Sequence, residues 1–333
     1  MKFLRNSEVP IEKWNFLLLK SPYSSPFQTR EFFQLYNSVP SLSADVFAVE
    51  DSGDLKSLCV VTIQKEEGIK AYFSRRAIIY GGPLFVDNDY ETGEFLLHQV
   101  YLELNKKVIY IEVRNFEDYS KLKTLFINAG WISLPYMNIK LLLKDNSLNQ
   151  VLGLMKYNRR REIKLSLAEG AIFRDANDIS EVQNLYLILK ELYVNKVKLP
   201  LPDFDYFLAL FRSKLGKVFV ILHNNRIIGG TFCFYLEHKT IYTMYYCGER
   251  NYHTKIFPTH LSILAAIDFG IRNKLEFIDF MGAGLKNKEY GVRKYKQEFG
   301  GELMEYGRFR KINNTFLFAI GELGLRILKL LKK

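Results

Sequence analysis

Tyr295 and Lys296 stand side by side in GVRKYKQEFGG (Gly291–Gly301), a basic run fenced by glycines. A lysine held against an aromatic ring in a water-poor cleft can stabilise a developing oxyanion or a bound phosphate. On an open surface the same residues would be a solvated basic helix closing on a glycine cap. Just upstream, FIDFMGAGLKNKEY supplies a strand, Phe277 to Phe280, that carries Asp279 and runs into Gly282-Ala283-Gly284. Glycine-flanked amides at the carboxyl edge of a strand are where α/β proteins bind ligands. Asp279 reads as a general base or as a capping carboxylate. Tyr290 and Arg293 complete the group, Arg293 as a phosphate contact and the Gly282–Gly284 turn as the shape of an acceptor cleft.

Such a segment needs a scaffold. The chain has 333 residues, 48% of them hydrophobic and 15% aromatic, which supports about two domains with real cores and excludes disorder. A formal charge of +11 favours polyanionic partners: RNA, nucleotide phosphates or an anionic membrane face. Cys59, Cys233 and Cys247 are scattered and form no C-x-x-C pair, so neither a disulfide framework nor a zinc knuckle is expected, and a reducing cytoplasm is the expected location. No signal peptide is read at the N-terminus, and no stretch reaches the roughly 18 apolar residues of a spanning helix.

One unit occurs twice. VFAVEDSGDLKSLCVVTI from Val46 and VFVILHNNRIIGGTFCFYL from Val218 are both hairpin patterns, 172 residues apart. A helical segment follows each and leads to a strand, at Ile109 and at Phe277, 168 residues apart. Two helical segments precede each hairpin. The pattern predicts a mixed α/β fold of two domains, residues 1–150 and 151–315, followed by a basic amphipathic helix over 316–333. In that tail Ile320, Leu323, Ile327, Leu330 and Leu331 share one side and Arg326, Lys329 and Lys333 the other. Packing against the body and resting on anionic lipid are both open readings.

The bridge SLNQVLGLMKYNRRREIKLSLAEGA places Lys156, Arg160 and Lys164 at i, i+4 and i+8 of one helical face, either a solvated stripe or a ridge for phosphates. There is no phosphate loop of the G-x-x-x-x-G-K-[ST] kind, no G-x-S-x-G elbow, no H-E-x-x-H and no G-x-G-x-x-G. Most hydrolases, kinases and dinucleotide enzymes of familiar type are thereby removed. The five histidines are dispersed; His253 and His260 have no carboxylate nearby in sequence, and no metal site is expected.

The repeated module, closed by G-x-G and an aromatic-Lys-x-x-Phe-Gly ending, resembles the Fem family of peptidoglycan aminoacyltransferases and their FemAB-like relatives, which are built from two acetyltransferase-like (GNAT) domains in tandem. The resemblance covers most of the chain: SPYSSPFQTREFFQLY is similar to the family's opening helix and loop, YGGPLFV from Tyr80 to its Gly-Pro strand, KYNRRREIKLSLAEGAIF to the basic helix of its second domain, and DFMGAGLKNKEYGVRKYKQEFGG to its closing motif. It implies that Tyr295 and Lys296 match the family's aromatic-Lys pair, with tyrosine where the family usually has phenylalanine. The family's phosphate-binding lysine of the first domain has no match in FFQLY, and Lys198 stands nearest to its phosphate-binding arginine of the second. The pyrophosphate loop of acetyltransferases should fall in YYCGERNYHTKIFPTH, which lacks the glycine pattern.

The resulting expectation is a cytoplasmic acyltransferase, peripheral at the inner face of a bacterial cell membrane. It holds no bound cofactor and takes aminoacyl-tRNA or acyl-CoA as co-substrate. The acceptor is an amine of a cell-envelope precursor such as a peptidoglycan intermediate. Lys296, Tyr295 and Asp279 are the expected catalytic residues; Lys156, Arg160, Lys198, Gly282, Gly284, Tyr290, Arg293 and Tyr80 are the expected substrate contacts. Two rivals stand beside it: an acyl-CoA-dependent N-acyltransferase of polysaccharide or lipid synthesis, and a non-catalytic RNA- or membrane-binding protein on the same scaffold.

Overall fold

The computed structural model describes residues 1–65, 68, 71–86, 89–288 and 290–331. The chain divides into two units, Met1–Tyr136 with Glu305–Lys333, and Met137–Met304.

The first unit runs β1 (Lys2–Arg5), α1 (Ile11–Lys20), α2 (Arg30–Ser38), β2 (Ser43–Asp51), β3 (Asp54–Gln64), α3 (Ala71–Ser74), β4 (Arg76–Gly81), β5 (Leu84–Phe85), α4 (Tyr90–Leu104), β6 (Tyr110–Asn115), α5 (Lys123–Asn128) and β7 (Ile132–Leu134). The second runs β8 (Tyr136–Leu142), α6 (Leu148–Leu154), α7 (Tyr157–Ala168), β9 (Ile172–Asp175), α8 (Ile179–Leu192) with a π-helical turn over Tyr193–Val197, α9 (Phe204–Arg212), β10 (Gly216–His223), β11 (Arg226–Tyr235), β12 (Thr240–Gly248), α10 (Pro258–Arg272), β13 (Phe277–Leu285), α11 (Gly291–Gln297) and β14 (Glu302–Met304). β15 (Arg308–Ile312) and α12 (Thr315–Leu331) then return to the first unit.

The sheets have matching orders, β1-β2-β3-β4-β6-β15-β7 and, reversed, β9-β10-β11-β12-β13-β8-β14, with β5 added beside β3. Both hairpins close in the same way. Ser52 and Gly53 have φ of 51° and 86°, Asn224 and Asn225 φ of 50° and 58°. Two successive left-handed residues make the turn whose twist matches that of the strands, which is why Ser-Gly and Asn-Asn sit there. In each unit a buried crossover helix, α4 or α10, joins two parallel strands and carries its apolar side into the core. Asp89 caps α4 by accepting from the Thr92 amide at 3.2 Å.

The division differs from the boundaries expected at 150 and 315. β14 pairs with β8, so the second sheet begins at residue 136, while β15 pairs with β6 and β7 and belongs to the first. The helical face read through Lys156, Arg160 and Lys164 starts at the N-cap of α7, because Met155 and Lys156, both extended in ψ, separate α6 from α7. α12 sets Phe318 edge-on against Tyr110, 5.4 Å between centroids, and leaves Phe316 and Leu323 exposed. The side chains from Leu325 on, including Arg326, Ile327, Lys329, Leu330 and Leu331, are outside the described set, as is Lys333 altogether. Among the described residues no helix is long and apolar enough to cross a membrane.

Candidate active site

The two parallel strand pairs differ. β4 and β6 stay paired for six residues, Arg76–Gly81 against Tyr110–Asn115. β12 and β13 pair only over Thr240–Tyr242 and Phe277–Asp279, though each is nine residues long. Beyond Thr243 and Phe280 they part, and Met244, Tyr245, Tyr246, Met281 and Gly282 are partly exposed along the opening. Separated strands in mid-sheet leave backbone donors and acceptors that an extended amide-bearing chain can pair with.

A kink in β13 marks the split. Asp279 is fully buried, and its Oδ1 accepts from the Met281 amide at 2.5 Å. Met281 takes φ of 62°, a left-handed conformation that costs a side-chain-bearing residue about 1–3 kcal/mol. On the other side of the strand, Thr243 Oγ1 donates to the Asp279 carbonyl at 3.4 Å. The kink turns the next carbonyls toward α11: Lys296 Nζ donates to Gly282 O at 2.9 Å and to Met281 O at 3.5 Å. An ammonium has three donors, so one is left without an acceptor among the described residues. Lys296 is only 6% exposed, which settles the choice between a solvated helix and a held cation. Burial pushes its pKa down from 10.5 to about 8, against the pull of Asp279.

Tyr295 lies beside it, half-buried and stacked on Tyr246, 6.2 Å between centroids. Burial, with Tyr246 next to it, raises its pKa, so the phenol stays protonated. Below the ring sits Arg159, whose guanidinium is 4.6 Å from the Tyr295 centroid and 5.1 Å from that of Phe299. Arg159 is 7% exposed and donates to Glu298 at 2.5 Å and to Glu162 at 3.3 Å. Glu162 also meets His260 Nε2 at 3.0 Å. A carboxylate there favours the imidazolium, but burial and then Arg159 push the other way and hold the His260 pKa at about 3. The ring is therefore neutral with its proton on Nε2, and Nδ1 accepts from the Tyr295 hydroxyl at 3.4 Å.

At that length the phenol bond is weak. Tyr295→Phe is accordingly expected to change unfolding free energy by less than ~1 kcal/mol in urea denaturation. A loss of several times that would show the hydroxyl, and not the ring, to be what matters.

The remaining expected residues fall in different places. Arg293, expected as a phosphate contact, turns its guanidinium to the carbonyls of Ala283 (2.8 Å), Lys286 (3.2 Å) and Leu285, and so staples the β13–α11 connection. Tyr290, at the N-cap of α11, lies against Gly284, where a Cβ would come within 3.0 Å of its ring; Gly284 also has φ of 80°, so no other residue fits there without strain. Asp279, expected among the catalytic groups, has no exposed surface and acts as cap of the kink and counter-charge to Lys296. Lys156 is the exposed N-cap of α7. Arg160, with Arg161, Lys164 and Tyr157, lines a groove of about 740 Å³ along α6 and α7. Lys198, exposed and left-handed with φ of 54°, ends the π-helical turn after α8. Tyr80 belongs to the first unit, where its hydroxyl accepts from Gln64 at 3.0 Å. Among the described residues no three His, Cys, Asp or Glu side chains are placed to hold a metal ion.

Arg159, Glu162, His260 and Glu298 are site residues that sequence reasoning did not single out. Three successive arginines carry no mark of which one turns inward, and His260 finds its carboxylate 98 positions away. The one available signal was the i, i+3 spacing of Arg159 and Glu162.

Compared by sequence, the chain matches no family model and no curated protein. Compared by structure, it is similar to FemX, with TM-score 0.71 and 14% identity over 96% of this chain and 99% of that one. It is similar also to the C-terminal domain of a proposed lysylphosphatidylglycerol synthetase from Agrobacterium fabrum, with TM-score 0.60 and 12% identity over 96% of each chain. A tandem GNAT protein from the clavulanic acid biosynthesis pathway gives TM-score 0.58 and 11% identity over 94% of this chain and 98% of that one. At such identities the likeness is one of fold: the chain has the FemAB-like architecture of two tandem GNAT-like units, the second of which holds the opened strand pair and the buried lysine.

Proposed function

We propose that the second unit transfers an aminoacyl or acyl group to an amine. The observation that carries this reading is Lys296, a buried ammonium with one uncommitted donor, fixed under the kink of β13 where the sheet opens. In such a transfer the amine attacks the donor's carbonyl carbon, a C–N bond forms, and the C–O or C–S bond to the carrier breaks. Negative charge gathers on the carbonyl oxygen in between, and a fixed cation in a dry site is worth far more to it than one in water. Tyr295 walls the site, while the proton lost by the amine passes within the substrate pair or to water, since neither buried Asp279 nor His260 is placed to take it. The name of the lysylphosphatidylglycerol synthetase domain and the resemblance of the closing motif to the Fem aminoacyltransferases support an aminoacyl donor, as do the net charge of +11 and the missing glycine loop.

A second reading, with an acyl-CoA donor, is favoured by the opening between β12 and β13, into which an amide-bearing pantetheine arm would fit as an added strand. The acceptor is taken to be an amine of a cell-envelope precursor, met at the membrane's inner face. Calorimetric titration of the full chain with CoA thioesters and with charged tRNA separates the donors. Saturable binding of charged tRNA and none of CoA is expected; the converse overturns the first reading, and binding of neither overturns both.

A further inference from the structure

The first sheet carries a second concentration of charge on the face shared by β4, β6 and β15. Glu112, 2% exposed, is met by three guanidinium groups: Arg114 Nε at 2.9 Å, Arg308 at 3.0 Å, and Arg310 through Nε at 3.1 Å and Nη2 at 2.5 Å. Strand register puts Arg76 and Tyr80 of β4 on the same face, opposite Tyr110 and Arg114. Three arginines therefore share one carboxylate, and among the described residues none of the three has another ion-pair partner; Arg76 on the same face donates to Gln64 at 3.2 Å.

Each of the three around Glu112 is also held on a ring. Arg308 lies 3.8 Å from the Tyr136 centroid, Arg114 5.4 Å from Tyr80, and Arg310 5.2 Å and 5.4 Å from Tyr110 and Phe318. Arg114, Arg308 and Arg310 keep 29%, 20% and 20% of their side-chain surface open, so part of each is accessible from solvent. Burial raises the Glu112 pKa, but the guanidinium groups outweigh it and hold the carboxyl at about 2. For Arg308 burial and then Arg114 lower the pKa against the pull of Glu112, while for Arg114 burial is outweighed by Tyr80 and Glu112, which raise its pKa.

One carboxylate offsets one of the three guanidinium charges, and the rest are left for solvent or an anion. We propose that the Arg114–Arg308–Arg310 face of the first unit is a binding site for a phosphoryl or diphosphate group. Planar forks on rigid supports take up phosphate oxygens two at a time, and a surplus of about two charges fits a multiply charged anion better than a single carboxylate. Glu112 occupies the site's inner donors and keeps the forks spread when the anion is absent.

The test is calorimetric titration of the full chain with inorganic pyrophosphate, with acetate as the control. Pyrophosphate should bind saturably, and Arg114→Gln should weaken it about tenfold or more, as expected for lost hydrogen bonds between charged groups. Glu112→Gln removes the internal competitor. It should melt at a lower temperature in anion-free buffer, as any broken ion pair would, but recover with pyrophosphate and bind it more tightly than the unaltered chain, neither of which a purely structural ion pair would do. Competition by phosphatidylglycerol vesicles, and not by phosphatidylcholine vesicles, assigns the phosphate to a lipid headgroup; no competition assigns it to a soluble phosphate. Absence of saturable pyrophosphate binding, acetate binding as tight as pyrophosphate, or Glu112→Gln binding more weakly than the unaltered chain would overturn the proposal.

Discussion

Lys296→Ala is expected to reduce acyl transfer by roughly 10²- to 10³-fold, the usual cost of removing one preorganised donor from a developing oxyanion. The loss should fall on kcat and kcat/KM together, because the group acts on charge that exists only in the transition state. The pH profile supplies a sharper check. Lys296 has its pKa brought down by burial to about 8, so the cationic form is present below that value and lost above it. Transfer should therefore decline with a limb near pH 8. Asp279→Asn removes the nearby negative charge that pulls the pKa upward while keeping an oxygen for the Met281 amide; that limb should move to lower pH. The same shift acts on stability in the opposite sense. Between about pH 8 and 10.5 the unfolded chain holds a proton that the folded chain has released, so folding gains from rising pH in that window. An alkaline limb that stays in place in Asp279→Asn would separate it from Lys296, and full activity in Lys296→Ala would remove the lysine from the mechanism.

Much of this arrangement was legible before any coordinates. Two hairpins at a constant offset, each preceded by two helices and followed by a crossover helix and strand, announce a repeated α/β unit because turn residues and apolar periodicity are local signals. What was not legible is non-local. β8 and β15 each join a sheet by pairing with strands distant in sequence, so no local signal marks the boundary at residue 136 or 305. The kink at Met281 is equally silent, since methionine has no preference for φ of 62° and is held there by Asp279 and Lys296. The carbonyl contacts of Arg293 were silent for a related reason. An arginine beside a glycine turn suits a phosphate and a row of backbone carbonyls alike, and only the path of the chain decides between them.

Arg159→Met should show how far the Tyr295 wall depends on what lies beneath it. The substitution keeps a long apolar side chain under Tyr295 and Phe299 but leaves Glu298 and Glu162 without their shared cation. Breaking one side of a largely buried pair costs about 3–5 kcal/mol, and with Glu298 and Glu162 retaining 28% and 24% exposure the lower end is expected. The loss should depend on pH through His260. In the unaltered chain His260 stays neutral down to about pH 3, so from its ordinary 6.5 downward the unfolded state takes up a proton that the folded state refuses, and stability falls with acid. Without Arg159 one of the two causes of that refusal is gone, and Glu162 at 3.0 Å can share an imidazolium. Arg159→Met should therefore be most damaging near pH 8 and less so near pH 5, measured as the difference in unfolding free energy from the unaltered chain. His260→Phe, which has no proton to refuse, should flatten the acid limb of the stability profile. A destabilisation by Arg159→Met that is the same at both pH values would mean that the guanidinium does not govern the imidazole, and that the cluster under Tyr295 is held by packing alone.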